Sequence, residues 1–178
     1  MKLFLQRHGF AGIPKDVHVT NWKWSKENLR RPLQSEGRDA ALGIARWMFD
    51  HDEIPSRIEH SPTERTRETA KIVFDHLRKH PDGKRIQLVE QQNLFIDKPV
   101  DEYVKRLCDD KSNKRVMLVG HSDNIPPALR ALNWVEDKLE VDQFATAELR
   151  CFDFCRKDYT WDELYRVLPS DMGSEDLY

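Results

Sequence analysis

The sequence lacks a long hydrophobic run. No apolar stretch approaches the roughly 18 residues that a membrane-spanning helix requires, and the mean hydropathy is −0.74. The first apolar run, 2–6, gives way directly to Arg7-His8, so the N-terminus offers neither the apolar stretch nor the small-residue cleavage site of a secretory signal. We therefore expect no membrane partner and no export.

An excess of charge of one sign is also missing. The chain carries 29 basic and 31 acidic residues, for a formal net charge of −2. Proteins that bind nucleic acids present a strongly basic surface to the phosphate backbone. We therefore expect no nucleic-acid partner, and nothing in the composition indicates an oligomeric state.

Cysteine is scarce, with only Cys108, Cys151 and Cys155 and no Cys-x-x-Cys pair. An odd number at these spacings argues against a disulfide framework and against a zinc site. Cys151 and Cys155 lie in an apolar, strand-like stretch, where a buried reduced thiol is the ordinary interpretation. These features suit a cytoplasmic protein.

Apolar strand patterns alternate with helical ones along the chain. The 178 residues are enough to bury one core, so we expect one domain over 1–178 with a frayed tail at 170–178. Strands are predicted at 2–6, 57–61, 85–89, 116–119, 147–155 and 163–168, and helices at 35–50 after a Ser35 cap, 63–80, from Pro99 through Leu107, and 125–134. This order predicts an α/β three-layer sandwich, with a mainly parallel sheet, helices on both faces and a C-terminal strand pair.

The segment 10–34 has no clean periodicity and is predicted to be an irregular insert beside His8. Its basic residues suit an anionic substrate, whereas a solvated loop pinned to the core by its tryptophans is the simpler interpretation. The residues concerned are Lys15, Lys23, Lys26, Arg30, Arg31, Trp22 and Trp24.

Three strand ends carry chemistry. Arg7-His8-Gly9 and Gly120-His121-Ser122 each follow an apolar strand, and Ser61-Pro62-Thr63-Glu64-Arg65 links a strand to a helix. The carboxyl ends of parallel strands form the usual ligand-binding edge of an α/β sheet. Two arginines and two histidines would meet there, with Arg65 near a helix N-terminus, which predicts a phosphate-sized positive pocket.

Together these segments resemble the histidine phosphatase superfamily, also called phosphoglycerate-mutase-like. The likeness extends from residue 3 to about 168 and is closest in look to the small bacterial phosphohistidine phosphatases. It is carried by Phe4-Leu5-Gln6-Arg7-His8-Gly9, Arg31-Pro32-Leu33-Gln34-Ser35-Glu36-Gly37, His60-Ser61-Pro62-Thr63-Glu64-Arg65-Thr66-Arg67-Glu68-Thr69-Ala70 and Val119-Gly120-His121-Ser122.

The resemblance implies a metal-independent phosphatase without a cofactor. His8 matches the nucleophile that forms a covalent phosphohistidine, and Arg7, Arg65 and His121 match the residues that hold the phosphoryl oxygens. The implied substrate is a phosphorylated small molecule or a phosphoprotein, including protein phosphohistidine. A phosphoglycerate-type mutase and a non-catalytic phosphate-binding module are the alternatives.

The sequence departs from the family pattern in its acids. Phe10 stands where many relatives have an acidic residue, and Glu90 is the nearest candidate for the general acid that protonates the leaving group, with Asp123 as a second candidate. An alkoxide needs such an acid, whereas imidazole, with a pKa of about 6.5, leaves far more easily. A site without the acid would favour phosphohistidine or aryl phosphates over sugar phosphates.

Overall fold

The computed structural model describes residues 1–12, 25–96, 98, 100–112, 114–122, 125, 144–158 and 160–171. The strands are β1 (Lys2–Arg7), β2 (Arg57–His60), β3 (Gln87–Glu90), β4 (Arg115–Gly120), β5 (Leu149–Cys155) and β6 (Thr160–Val167). The helices are α1 (Lys26–Leu29), α2 (Ser35–Asp50), α3 (Glu64–Leu77) and α4 (Asp101–Asp109), with short 3-10 turns at Pro81–Arg85, Gln92–Leu94 and Pro169–Asp171. No helix within these residues is long and apolar enough to cross a membrane.

The six strands form one sheet in the order β3-β2-β4-β1-β5-β6. β1, β2, β3 and β4 run parallel, whereas β5 is antiparallel to β1 and β6 is antiparallel to β5. This confirms the predicted α/β sandwich with a mainly parallel sheet and a C-terminal strand pair. Because Arg7 lies opposite Gly120 and His60 lies opposite Val119, the ends of β1, β2 and β4 reach the same edge.

The alternation of side chains along β1 divides the core into two layers. Leu3 and Leu5 pack on one face with α4 residues such as Val104. Phe4 packs on the other face with Ile44 of α2 and Val73 of α3. Both faces of the central strands are therefore covered, which is why β1 and β4 read as continuous apolar runs in the sequence.

Several local predictions need correction. Ser35 is the first residue of α2 and not its cap; Gln34 occupies the cap position without a side-chain hydrogen bond. β5 begins at Leu149, two residues after the predicted start, and β6 begins at Thr160, three residues before the predicted start. The predicted helix at 125–134, apart from Ile125, and the tail from 172 lie outside the described residues.

Candidate active site

The strand ends bring His8 and His121 together. The His8 N–H donates to the Gly120 carbonyl at 3.1 Å, which continues the β1–β4 ladder past the end of β1. The two imidazole centroids lie 5.3 Å apart with their planes at 66°. On the neighbouring strand, the Ser61 N–H donates to the Val119 carbonyl at 3.2 Å. The edge-sharing predicted from the sequence is therefore present in the structure.

His8 is oriented through its Nδ1 atom. Nδ1 lies 2.7 Å from the carbonyl oxygen of Gly9, and because a carbonyl only accepts, Nδ1 carries the proton. The lone pair is consequently on Nε2, which accepts a hydrogen bond of 3.1 Å from Nε of Arg65. The Gly9 N–H donates to Thr69 Oγ1 at 3.1 Å, which fastens this turn to α3.

Burial, together with the positive charges of Arg65, Arg7 and Arg31, lowers the pKa of His8 to about 3, against the opposing effect of the hydrogen bond to Gly9. The ring is therefore neutral at neutral pH. A neutral imidazole with its proton fixed on Nδ1 presents Nε2 as a nucleophile.

The Arg65 guanidinium bridges the two imidazoles, contacting a nitrogen of each ring. It lies in the first turn of α3 and is only 4% exposed. Besides its contact with His8, Nη2 lies 3.2 Å from His121 Nδ1 and Nη1 donates to the Asn28 carbonyl at 2.8 Å. This planar cation is held beside Nε2 of His8, where its N–H groups could bind the oxygens of a group attached to that nitrogen.

His121 is neutral, and its Nδ1 accepts a hydrogen bond from Nη2 of Arg65. Because Nη2 of Arg65 can only donate, Nδ1 of His121 holds a lone pair and Nε2 carries the proton. Nε2 then donates to Ser61 Oγ at 2.9 Å. Burial first, and then the nearby His8, Arg65 and other arginines, lower the pKa of His121 to about 2.

Two further arginines, Arg7 and Arg31, lie near both histidines, and their positive charges help to lower the pKa of each ring. Arg7 donates from Nη1 to the Phe144 carbonyl at 2.6 Å. Arg31 donates from Nη1 to the Gly12 carbonyl, and the adjoining Leu33 N–H donates to Glu68 of α3 at 2.5 Å. In the sequence, Arg31 belongs to the basic insert and to the Arg31-Pro32-Leu33 segment that carries the resemblance, but it was given no role at the site.

Asn28 is a site residue that the sequence analysis missed. It is 5% exposed and accepts from Arg65 through its backbone carbonyl. It belongs to the four-residue helix α1, in which the Ser25 side chain accepts from the Asn28 N–H at 3.1 Å. A helix this short has no periodicity to recognise, and the Ser25 cap was the single clue.

Glu90 lies at the end of β3, at the edge of the sheet and in register with His60. Its carboxylate is exposed and accepts from Gln92 Nε2 at 3.1 Å. The described contacts do not join it to His8, Arg65 or His121, so its role as general acid stays a prediction. Asp123, the second candidate, lies outside the described residues.

The described residues contain no group of three or more His, Cys, Asp or Glu side chains that could hold a metal ion. The charges that face His8 come instead from guanidiniums. These guanidiniums could stabilise a bound oxyanion through charge-assisted hydrogen bonds.

The turn after β1 packs backbone against backbone on α2. A Cβ atom added at Gly37 would lie 2.1 Å from the Phe10 carbonyl oxygen. We expect Gly37→Ala to lower the free energy of unfolding by about 1–3 kcal/mol, because the added Cβ displaces the turn that follows β1. Urea unfolding checks this effect, with Asp39→Ala on the exposed side of α2 as control. An unfolding free energy equal to that of the control would contradict this packing.

The two buried histidines predict a pH dependence of stability. Their folded pKa values, about 3 and about 2, lie below the unfolded value of about 6.5. The unfolded chain therefore binds protons that the folded chain does not, and stability falls as pH drops from about 6.5 towards 3, by up to about 1.4 kcal/mol per pH unit for each histidine. Urea unfolding at pH 7.5 and 5 should show a shallower loss in His8→Asn than in wild type or in the exposed-site control His51→Gln. Identical slopes in all three proteins would refute the assignment.

Neither a protein-family model nor a curated protein sequence matches the chain. Solved structures do match. SixA of Agrobacterium tumefaciens, named as a phosphohistidine phosphatase, superposes with a TM-score of 0.71 at 23% identity, covering 94% of this chain and 97% of that one. The protein histidine phosphatase SixA complexed with tungstate gives 0.73 at 18% identity, covering 96% and 99%.

A phosphoserine phosphatase of Entamoeba histolytica in complex with 3-phosphoglyceric acid superposes with a TM-score of 0.57 at 16% identity, covering 99% of both chains. These proteins share one architecture over nearly their whole lengths. The chain therefore has the fold of the histidine phosphatases, which confirms the resemblance at the level of the fold.

Proposed function

We propose that the chain is a metal-independent phosphatase that hydrolyses a phosphomonoester or a protein phosphohistidine through a covalent phosphohistidine on His8. The observation that carries this proposal is the state of His8: Nδ1 is bound to the Gly9 carbonyl, and the lone pair on Nε2 faces Arg65. The shared fold with proteins named as phosphohistidine phosphatases supports it, and one of them is complexed with tungstate, a tetrahedral oxyanion like phosphate.

In the first step, Nε2 of His8 attacks the phosphorus, and the bond between phosphorus and the leaving group breaks. The electron pair of that bond goes to the leaving group, while the Nδ1 proton stays on His8 against the Gly9 carbonyl. Arg65 and Arg7 bind the phosphoryl oxygens and neutralise their charge. In the second step water attacks the phosphorus and the N–P bond breaks. The electron pair of that bond returns to Nε2, so His8 regains its neutral form, and the protons of the water leave with inorganic phosphate.

His121 changes its hydrogen bonding when the phosphoryl group binds. Without substrate its Nδ1 accepts from Arg65, so it has no proton there to offer. A dianionic phosphoryl group beside the ring favours the protonated imidazolium, which then donates from Nδ1 to a phosphoryl oxygen. Ser61 Oγ keeps accepting from Nε2 in both states, which holds the ring in place.

The identity of the leaving group is expected to depend on Glu90. If Glu90 is the general acid, Glu90→Gln should lower kcat for an alkyl phosphate by roughly 10²- to 10⁴-fold and leave an aryl phosphate or phosphohistidine unaffected. Steady-state kinetics on the three substrate classes measure this, with Glu102→Gln on the exposed part of α4 as control. Equal activity of both variants on all substrates would mean that Glu90 is not the acid. In that case substrates with good leaving groups are favoured.

The experiment that tests the proposed function is chemical trapping. The protein is mixed with 32P-labelled aryl phosphate in EDTA and quenched in alkali, and acid-labile label is sought on the peptide that contains His8. Label that turns over to free phosphate supports the hydrolase. Transfer to a second site of a sugar acid, stimulated by a bisphosphorylated primer, would indicate a mutase. Tight vanadate binding without label or phosphate release would indicate a binding module.

A further inference from the structure

The loop from Phe144 to Glu148 holds the end of β1 in place. Phe144 accepts from Nη1 of Arg7 at 2.6 Å, and the Glu148 carbonyl accepts from the Arg7 N–H at 3.1 Å. The Ala147 N–H donates to the His8 carbonyl at 3.1 Å. The loop therefore contacts the guanidinium of Arg7 and the backbone of both Arg7 and His8, on the side of β1 opposite Gly120.

This loop has a backbone conformation that needs support. Ala147 has φ = 63°, a left-handed conformation that is uncommon for residues other than glycine. The Glu148 N–H donates to the Ala145 carbonyl at 3.1 Å, which closes a tight turn around Ala147. Side-chain contacts must hold such a shape against the backbone preference.

The carboxylate of Glu148 supplies those contacts. It is fully buried, and Oε2 accepts from the Ala145 N–H at 2.5 Å. Oε1 accepts from Nε of Arg150 at 2.6 Å. The carboxylate also forms an ion pair with Arg166, in which Nε lies 2.7 Å from Oε1 and Nη2 donates to Oε2 at 3.3 Å. One side chain thus joins the loop backbone to β5 and β6.

Arg150 extends the same support to the start of the loop. Its guanidinium lies 4.9 Å from the centroid of the Phe144 ring, and Arg150 is itself only 4% exposed. Phe144 is the residue whose carbonyl holds Arg7. Glu148 therefore controls the loop at Ala145 directly and at Phe144 through Arg150.

We propose that Glu148 is a positioning residue that sets the guanidinium of Arg7 for phosphoryl binding. This inference rests on the proposed function, in which Arg7 binds a phosphoryl oxygen. If Glu148 served only to stabilise the fold, its replacement would not change the contribution of Arg7 to oxyanion affinity. The two roles therefore differ in whether the effect of Glu148 depends on Arg7.

The test is a double-mutant cycle on tungstate binding, measured by titration calorimetry of the full chain in EDTA. We expect Arg7→Ala to weaken binding about tenfold or more and Glu148→Gln to weaken it roughly five- to tenfold, but less than about twofold in the Arg7→Ala background. The matched control is Glu163→Gln, which removes a carboxylate 3.9 Å from the same Arg150 but lies on β6, away from the loop; its tungstate affinity should equal that of wild type.

Each result has a distinct meaning. Equal weakening by Glu148→Gln with and without Arg7 overturns the positioning role, as does an unchanged affinity. If Arg7→Ala binds tungstate like wild type, the phosphoryl-binding role of Arg7 fails and this inference fails with it. Should Glu148→Gln not fold, Arg166→Gln removes a half-exposed donor to the same carboxylate. Arg166→Gln should then weaken tungstate binding roughly two- to threefold, and this effect should vanish in the Arg7→Ala background. An unchanged tungstate affinity in Arg166→Gln would overturn the inference.

Discussion

We expect His8→Asn to abolish turnover if His8 is the proposed nucleophile, with kcat on p-nitrophenyl phosphate falling by roughly 10⁴-fold or more, as when the nucleophile of other covalent catalysts is removed. Asparagine can still hydrogen-bond within the turn, but its amide nitrogen has no lone pair available for attack on phosphorus. The measurement is steady-state kinetics in EDTA, combined with the trapping assay, in which the variant should carry no acid-labile phosphate.

His60→Asn is the matched control for this variant. His60 is also buried at a strand end, and its Nδ1 lies 2.8 Å from the carbonyl of the next residue, Ser61, as Nδ1 of His8 lies near that of Gly9. The described contacts of His60 do not include Arg65. The two substitutions disturb similar environments, but His60 is not the proposed nucleophile, so we expect His60→Asn to keep kcat within about threefold. Equal losses in both variants would show that folding, and not the nucleophile, accounts for the effect.

The placement of His8, Arg65 and His121 could be predicted because it depends on short-range patterns. Apolar runs marked β1 and β4, and the residues that follow a strand in a parallel sheet must lie at its carboxyl edge. The register between Arg7 and Gly120 then brings the two histidines together without any further information. The tautomer of His8 likewise follows from a local contact with the next residue.

Asn28 and Glu148 could not be predicted in the same way, because their roles depend on contacts between distant parts of the chain. Asn28 meets Arg65 across 37 residues, and the loop before β5 meets Arg7 across more than 130. The wrong Ser35 cap has a similar cause: a Ser-containing start is compatible with several registers, and the contact of Gln34 N–H with the Phe10 carbonyl selects the one observed. Long-range packing decided these features where local propensity was ambiguous.

Replacing Arg65 should have the second-largest effect. We expect Arg65→Ala to lower kcat by roughly 10³- to 10⁵-fold, the range for an arginine that stabilises a transferring phosphoryl group. Arg65→Lys keeps the positive charge but cannot contact His8, His121 and Asn28 at once, as the three arms of the guanidinium do. Its loss should therefore remain large, at roughly 10²- to 10³-fold.

The control for Arg65→Lys is Arg67→Lys, two residues along the same helix. Arg67 is exposed and pairs with Glu64 on the surface of α3, so the same chemical change there should leave kcat within about twofold, as for an exposed ion pair. Arg65 could bind the substrate, stabilise the transferring phosphoryl group, or do both. Weaker tungstate binding with an unchanged rate of His8 phosphorylation at saturating substrate would mean that Arg65 acts in ground-state binding alone. A fall in the saturated rate is the outcome that the contact of Arg65 with Nε2 of His8 predicts, because in the proposed mechanism that guanidinium would lie beside the phosphoryl group as its charge develops.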